Sequence, residues 1–224
     1  MNKMKDRGIA LVTEAGNGLG SIFSHLLHDN GYEVILAACG KSFQRLKQFR
    51  EREGDFTLIE TDLTSEESIS KLRDSLEDTY GKLDLLINNA EIVNGFGHKI
   101  DQLELDEVKL VYEVNFFAVL RITKLMKPLL AKSRGPKIIN ITSALGDLNK
   151  MKDENFCYNN YSLTAYTTSK AALNLYTHLQ CKEFKPTNIR VHSFDPVVLT
   201  NCTHNTVYIR DAVKEKFLDL VKMD

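Results

Sequence analysis

The sequence lacks three features that would assign the chain to a specialised class of protein. Its four cysteines, at positions 39, 157, 181 and 202, form no CxxC pair and have no histidine at ligand spacing. We therefore expect reduced thiols and no metal site. The net charge of −1 gives no electrostatic reason to bind nucleic acid or an anionic membrane. No apolar run approaches the roughly 18 residues of a membrane span, and the N-terminal run is too short for a signal peptide, so a cytosolic location is expected.

Apolar runs of strand length alternate along the chain with longer segments of helical periodicity. Strands are predicted at residues 8–13, 33–38, 56–61, 83–89, 136–142 and 188–194. Helices are predicted at residues 18–31, 42–53, 65–81, 105–130, 164–184 and about 208–222. Strands that are apolar throughout and separated by helices indicate a parallel sheet covered on both faces. We predict one α/β domain over residues 1–224, a doubly wound (Rossmann) three-layer α/β/α fold that binds ligands at the carboxyl ends of its strands.

The first predicted strand runs into a glycine-rich turn, LVTEAGNGLG, at residues 11–20. A helix that begins at such a turn offers unpaired amides and a partial positive charge to a pyrophosphate. Gly16, Gly18 and Gly20 suit this role, Gly20 by letting the helix lie close to the sheet. Many strand–helix turns need a glycine for backbone reasons alone, but the position after the first strand favours dinucleotide binding. Glu14 is the exception, because it brings a carboxylate to the phosphates.

The ends of the next two strands bear on which dinucleotide is bound. After the second strand the sequence reads AACGK, with Cys39 and Lys41 and no carboxylate for the ribose hydroxyls of NAD. This favours NADP(H) over NAD(H), and the basic helix KSFQRLKQFRER either adds charge there or is a solvated face. After the third strand, Asp62 either bonds an adenine amino group or caps the next helix.

Tyr166 and Lys170 are four residues apart on one predicted helix, so their side chains share a face. A phenol with a pKa of about 10 is a poor proton carrier at neutral pH. A nearby ammonium favours the phenolate and brings that pKa toward the working range. The spacing is weak evidence alone, so the context of the pair decides its meaning.

Two further polar residues supply that context. Ser143 follows the fifth strand in IINITSALG, and Asn115 lies in the long helix in YEVNFFAVLR. Singly they read as a loop hydroxyl and a helical polar residue. Together with LVTxAGNGLG, DLT, INNA, YTTSK and IRVHSFDP, in this order, they resemble the short-chain dehydrogenase/reductase family over about residues 8–200. The stretch SFDP followed by LTNCTH is most similar to the family's single-domain carbonyl reductases.

The resemblance implies a role for each of the four catalytic residues. Tyr166 would exchange a proton with a carbonyl or alcohol oxygen, and Ser143 would hold that oxygen. Lys170 would lower the pKa of Tyr166 and bind the nicotinamide ribose. Asn115 would kink its helix and hold a water that links Lys170 to solvent. Hydride would pass between the nicotinamide and the substrate carbon.

The resemblance also implies a set of cofactor contacts along the carboxyl edge of the sheet, with Asn88 and Ala90 on the adenosine side. The residues expected to bind the cofactor are Thr13, Gly16, Asn17, Gly18, Leu19, Gly20, Cys39, Lys41, Asp62, Leu63, Asn89, Ala90, Tyr166, Lys170, Pro196 and Val198.

The chain departs from the family pattern at three positions beside this cofactor site. Glu14, Glu91 and Val197 stand where the family has glycine. We therefore expect the cradle to bind its dinucleotide less tightly than the family does. The segment between Ser143 and Tyr166 is also long, and its extra residues, DLNKMKDENFCYNNYSL, are either part of a substrate lid or a surface excursion.

Two hypotheses follow from these motifs. The first is an NADP(H)-preferring carbonyl reductase or alcohol dehydrogenase that acts on a small or medium carbonyl or alcohol substrate. The second is a catalytically weak or inactive relative that serves as a nucleotide sensor or protein-interaction module. Epimerisation or dehydration on the same fold remains a third reading. The helices at 105–130 and 164–184 resemble those that pair in the family's dimers, so we expect a homodimer, with apolar surface from FFAVL and AALNLY.

Overall fold

The predicted parallel sheet is present in the structure, a computed structural model that describes residues 7–16, 18–53, 56–161, 163–196 and 206–223. Its strands are β1 (Gly8–Thr13), β2 (Tyr32–Ala38), β3 (Thr57–Glu60), β4 (Leu85–Asn88), β5 (Lys137–Ile141) and β6 (Arg190–Phe194). All neighbouring strands pair in parallel, in the order β3-β2-β1-β4-β5-β6. The strand order reverses between β1 and β4, which is where a doubly wound sheet opens its ligand crevice. The predicted fold class is confirmed.

Helices cover both faces of the sheet. They are α1 (Gly18–Asp29), α2 (Gly40–Glu53), α3 (Glu66–Tyr80), α4 (Leu105–Tyr112), α5 (Ala118–Leu130), α6 (Leu148–Met151), α7 (Thr164–Phe184) and α8 (Thr206–Lys222). Because side chains alternate along a strand, β1 sends Ile9 and Leu11 into the core under α3, α5 and α7. Ala10 and Val12 point into the opposite core, under α1, α2 and α8. No described helix is both long and apolar enough to cross a membrane.

The long helix predicted at residues 105–130 is interrupted. It consists of α4, a π-helical turn over Glu113–Phe117, and α5. A π-turn adds a residue within one turn, so it changes the direction in which the following side chains point. The predicted irregularity at Asn115 is therefore present, although hydrophobic periodicity alone could not place it.

The cysteines only partly match the expectation of reduced thiols. Cys39 and Cys181 are free. Cys157 is disulfide-bonded, so the expectation is wrong for that residue. Cys202 lies outside the described residues.

A tight backbone approach sets the position of α7 against the end of β5. Gly146 ends a 3-10 turn, Ala144–Gly146, that follows Ser143. A Cβ added at Gly146 would lie 2.5 Å from the carbonyl carbon of Lys170 and 2.6 Å from the nitrogen of Ala171. Only a glycine lets this turn lie directly on the helix that carries Tyr166 and Lys170.

We expect Gly146→Ala to lower the free energy of unfolding by about 1–3 kcal/mol, the usual result of overpacking a rigid contact. The measurement is urea denaturation at equilibrium. Gly135→Ala is the matched control, because its Cβ would meet only the flexible Arg190 side chain at 3.3 Å. A Gly146→Ala protein as stable as Gly135→Ala would contradict the close contact.

Candidate active site

Four predicted catalytic residues converge at the carboxyl end of the central strands. Ser143 follows β5, Tyr166 and Lys170 lie one turn apart on α7, and Asn115 lies in the π-turn that precedes α5. All four side chains are buried. The fold thus brings together residues that are up to 55 positions apart in the sequence, since the ends of parallel strands meet at one edge.

Ser143 and Tyr166 form the hydroxyl pair of the site. The Ser143 hydroxyl lies near enough to the Tyr166 hydroxyl to lower the pKa of the phenol. The Ser143 hydroxyl also accepts a 3.2 Å hydrogen bond from the backbone nitrogen of Leu145, and Asn174 donates to the Ser143 carbonyl at 3.2 Å. These contacts fix the serine, so the two hydroxyls can jointly address one oxygen atom of a ligand.

Glu91 enters the same site from the loop after β4. Its Oε2 atom lies 2.7 Å from Lys170 Nζ and accepts a 3.1 Å hydrogen bond from the Tyr166 hydroxyl. Lys170 also donates to the carbonyl of Ile141 at 2.9 Å. Sequence reasoning treated Glu91 only as a replaced glycine and missed this contact. The available signal was its position just past β4, next to the strand that leads to Ser143.

This carboxylate changes the electrostatics expected for the tyrosine. Burial and then the negative charge of Glu91 raise the pKa of Tyr166 well above its ordinary value, and Asp195 adds to the effect. The nearby Ser143 hydroxyl acts in the opposite direction and lowers this pKa. Lys170 is paired with Glu91 and is not among the groups that set this pKa in the free protein, so its expected lowering of the Tyr166 pKa stays a prediction.

Asn115 anchors the loop that carries Glu91. Its Oδ1 accepts from the nitrogen of Ile92 at 2.8 Å, and its Nδ2 donates to the Ile92 carbonyl at 3.0 Å and to Ser169 Oγ at 3.2 Å. The side chain thus ties the loop after β4 to α7. The expected water link to Lys170 stays a prediction.

A cleft of about 750 Å³ opens at the switch point beside this cluster. Nine of the predicted cofactor residues line it: Gly18, Leu19, Gly20, Cys39, Lys41, Asp62, Leu63, Asn89 and Ala90. Glu14, Ser42, Arg45 and Glu91 also line it. The sequence predicts Ser42 and Arg45 only as members of a basic helix that faces either solvent or ligand, and the structure places both residues on the cleft.

Several predicted cofactor residues do not line the cleft. Thr13 is buried, and its hydroxyl accepts from the nitrogens of Asn89 and Ala90, both at 3.0 Å, so it joins β1 to β4. Gly16 faces α2, where an added Cβ would lie 3.3 Å from Arg45 Cβ. Tyr166, Lys170 and the half-buried Pro196 are likewise absent from the lining. Asn17, Val197 and Val198 lie outside the described residues.

Asn88 also points away from the cleft, which corrects its placement on the adenosine side. It pairs in register with Asn140 on β5, and its amide donates to Asn140 Oδ1 at 2.7 Å. Asn140 in turn donates to Thr177 and Gln180 on α7, at 2.9 and 2.8 Å. The two asparagines therefore form a buried polar link between the sheet and α7.

Asp62 neither caps α3 nor is committed to a structural ion pair. Ser65 caps that helix, accepting from the nitrogen of Ser68. Asp62 Oδ1 accepts from the nitrogen and hydroxyl of Thr64, at 2.9 and 2.7 Å, and the residue lines the cleft. A second Asp62 oxygen thus remains for a ligand at this edge.

Glu14 sits in the left-handed backbone region, with φ of 55°, which costs a non-glycine residue roughly 1–2 kcal/mol. Its carboxylate bonds to Ser42 and faces Arg45 rather than Lys41. Burial raises the pKa of Glu14, while the Ser42 hydrogen bond and the Arg45 charge oppose the rise. The substituted glycine is therefore accommodated by partners on α2.

The long segment before α7 packs against Tyr166. Phe156 and Tyr158 pack on a small cluster of Leu145, Leu163 and Tyr166. Nearer the surface, the rings of Phe96 and Tyr161 meet at 5.6 Å. The segment thus packs as an aromatic cluster beside Tyr166 and is not an excursion away from the predicted site.

Known proteins resemble this chain both in sequence and in structure. A family model described as short chain dehydrogenase matches residues 8–212. An uncharacterized oxidoreductase of Staphylococcus aureus strain MRSA252 is 30% identical over 191 residues, covering 84% of this chain and 76% of that protein. The NADPH-bound carbonyl reductase from chicken fatty liver superposes with a TM-score of 0.80 at 25% identity, covering 97% of this chain and 93% of that one. NAD+-bound xylitol dehydrogenase gives 0.73 at 25% identity, covering 86% and 71%.

Glu14→Gln should raise the melting temperature near neutral pH, because it removes a partly buried charge without changing the backbone strain. The raised pKa of Glu14 means that the folded state holds the proton more tightly than the unfolded chain. Its stability contribution is therefore full below the ordinary pKa of 4.5 and is lost as pH rises. The gain in the variant should shrink as pH is lowered toward 4.5. Thermal scans against pH test this, with the exposed Glu51→Gln as control; an equal gain at every pH would contradict it.

Proposed function

The chain belongs to the short-chain dehydrogenase/reductase family, and on that premise we propose that it interconverts a carbonyl compound and its alcohol with NADP(H). Membership makes the protein an NAD(P)-dependent oxidoreductase. The choice of NADP(H), the catalytic residues and the substrate class are the parts we propose. The observation that carries them is the buried Ser143–Tyr166 hydroxyl pair beside the cleft.

The residues of the cleft fit a dinucleotide on its adenosine and pyrophosphate side. An added Cβ at Gly18 would meet nothing within 4 Å, so the start of α1 is open to a phosphate group. An added Cβ at Gly20 would lie 2.7 Å from Ala15 Cα, so this glycine brings the helix close to the sheet. When bound, the nicotinamide would supply or accept the hydride.

The chain's own residues would handle the oxygen and the proton. Ser143 would donate a hydrogen bond to the carbonyl oxygen and hold it next to the Tyr166 hydroxyl. Tyr166 would deliver its proton to that oxygen as negative charge develops there. In the free protein the raised pKa of Tyr166 makes the phenol a weaker acid, so proton transfer would require that the Glu91 charge leave the phenol when the cofactor binds.

A preference for NADP(H) is supported by the end of β2. Ala38 and Cys39 offer no carboxylate to a ribose diol, while Lys41, Ser42 and Arg45 line the cleft at the start of α2. Two cations and a hydroxyl suit the additional phosphate of NADP. The NADPH-bound chicken carbonyl reductase is in accord with this assignment.

The substrate is proposed to be a small or medium carbonyl or alcohol compound with an apolar body. Phe156, Tyr158 and Leu145 wall the tyrosine side of the site. Phe96, exposed on the loop after β4, contacts the Tyr161 ring of the segment before α7. An aromatic or alicyclic substrate would cover this surface.

A catalytically weak relative, acting as a nucleotide sensor or interaction module, is the second candidate. It is favoured by one observation, the ion pair between Glu91 and Lys170. Such a protein would bind a dinucleotide without turnover. A cytosolic location stays a prediction under both candidates.

Tyr166→Phe should abolish turnover while leaving cofactor binding intact, because it removes the transferred proton and little volume. We expect loss of about 10²–10⁴-fold in kcat. The measurement is NADPH and NADH oxidation across a panel of aromatic and alicyclic carbonyls, with cofactor affinity followed by fluorescence. Tyr80→Phe, on α3 and away from the cleft, is the control. Undiminished turnover in Tyr166→Phe would refute the assignment, and binding without turnover by the unmodified protein would favour the sensor.

We also propose a homodimer through α4, α5 and α7. Roughly half or more of the side chain is exposed at Leu110 on α4, at Phe117 in the π-turn before α5, and at Leu175 and Leu179 on α7. An apolar face on adjacent helices of this kind is typical of a protein–protein interface.

The dimer should dissociate when Leu175 and Leu179 are both replaced by lysine, since two charges would be buried in the interface. Light scattering coupled to size-exclusion chromatography at micromolar concentration should give twice the chain mass for the unmodified protein and the single mass for the variant. Ile100→Lys, exposed at the start of a 3-10 turn outside these helices, should leave the mass unchanged. A monomeric unmodified protein would overturn the proposal.

A further inference from the structure

The position of Glu91 is fixed from both sides. Before it, the nitrogen of Ala90 donates to the hydroxyl of the buried Thr13 at 3.0 Å. After it, both backbone polar groups of Ile92 are bonded to the side chain of Asn115. The backbone between these two anchors has little freedom, so the direction of the Glu91 side chain is set by the fold.

The side chain that meets Glu91 is a cation with few alternatives. The Lys170 side chain is 1% exposed, and its ammonium bonds to the Ile141 carbonyl and to Glu91. A buried charge is costly unless it is paired. Glu91 itself is 36% exposed and lines the cleft, so one carboxylate touches both the lysine and the space in which a cofactor would lie.

We propose that Glu91 is an internal ligand of the Lys170–Tyr166 pair, which must release Lys170 before the ribose of a nicotinamide cofactor can bind there. The free protein is thereby held in a self-inhibited state, and Glu91 sets the cofactor affinity. The inference rests on the proposed function, in which Lys170 binds that ribose. It assigns a regulatory contact to a residue that stands where the family has glycine.

Two physical consequences follow from the geometry. First, the apparent affinity for the cofactor equals the intrinsic affinity multiplied by the fraction of molecules in which Lys170 is released. Second, the Tyr166 proton points to Glu91 at 3.1 Å instead of toward a substrate oxygen. The other polar and charged groups that face this phenol are Ser143 after β5, Lys170 on the same helix and Asp195 after β6.

The first test compares cofactor binding by the unmodified protein, Glu91→Gln and Glu91→Gly. Glu91→Gln keeps the volume and removes the charge, whereas Glu91→Gly removes both. We expect each variant to bind NADPH about tenfold more tightly, which corresponds to release of Lys170 in about one molecule in ten of the unmodified protein. Calorimetry gives the dissociation constants, and the exposed Glu104→Gln serves as control.

The outcomes separate this inference from the proposed function. Tight binding by the unmodified protein with no gain in either variant leaves the oxidoreductase assignment in place and overturns the role of Glu91. Binding only by the variants supports the role of Glu91 and overturns cofactor-dependent activity of the unmodified protein. Absence of binding by all three proteins overturns both.

The second test needs no cofactor. Ionisation of Tyr166 is isolated as the difference in tyrosinate absorbance between a protein and the same protein carrying Tyr166→Phe, titrated with base. Removing the Glu91 charge should lower the pKa of Tyr166, so Glu91→Gln should ionise at lower pH than the unmodified protein. Coincident titration curves for the unmodified protein and Glu91→Gln would show that the Glu91 carboxylate does not contact the Tyr166 phenol, and would overturn the proposal. Melting temperatures of all variants confirm that each is folded.

Discussion

The site is organised around one buried ammonium group. Lys170 lies inside the protein, where a charge must be matched by a carboxylate or by well-aimed dipoles. The Ile141 carbonyl supplies a dipole from the end of β5, and Glu91 supplies the charge from the loop after β4. One cation therefore holds together α7, the end of β5 and the loop after β4, which are distant in sequence. The phenol of Tyr166 depends on the same arrangement, since its hydroxyl shares the Glu91 oxygen.

Close backbone contacts make that arrangement possible. The 3-10 turn at Gly146 lies directly against α7 at Lys170, which brings Ser143 to the tyrosine. The π-turn aims Asn115 at the loop after β4 and at Ser169 on α7. Neither device contributes a proposed catalytic group, yet each determines where the proposed catalytic groups lie. Positioning within a fraction of an ångström is what such chemistry requires.

The fold and the convergence of the catalytic residues could be predicted because both follow from periodicity and from the polarity of a parallel sheet. Side-chain direction could not be predicted in the same way. Asn88 was placed in the cleft, although strand alternation and pairing with Asn140 send it toward α7. Thr13 ends β1 with its hydroxyl turned to β4. The partners of Glu14 and Glu91 depend on loop conformation, which no periodic pattern encodes.

The two acids that replace glycines differ in what they cost an incoming dinucleotide. Each is turned toward a cation of the protein, Glu14 toward Arg45 and Glu91 toward Lys170. Arg45 is exposed, and the attraction of an exposed charge is worth only about 0–1 kcal/mol, so a phosphate can take up Arg45 at little expense. Lys170 is buried, and depriving a buried ion of its partner costs about 3–5 kcal/mol unless another group takes that place. At Lys170, cofactor binding is therefore an exchange of ligands on the lysine. At Arg45, the cofactor binds without displacing a strong contact. Glu91 consequently governs whether a cofactor can occupy the cleft along its whole length.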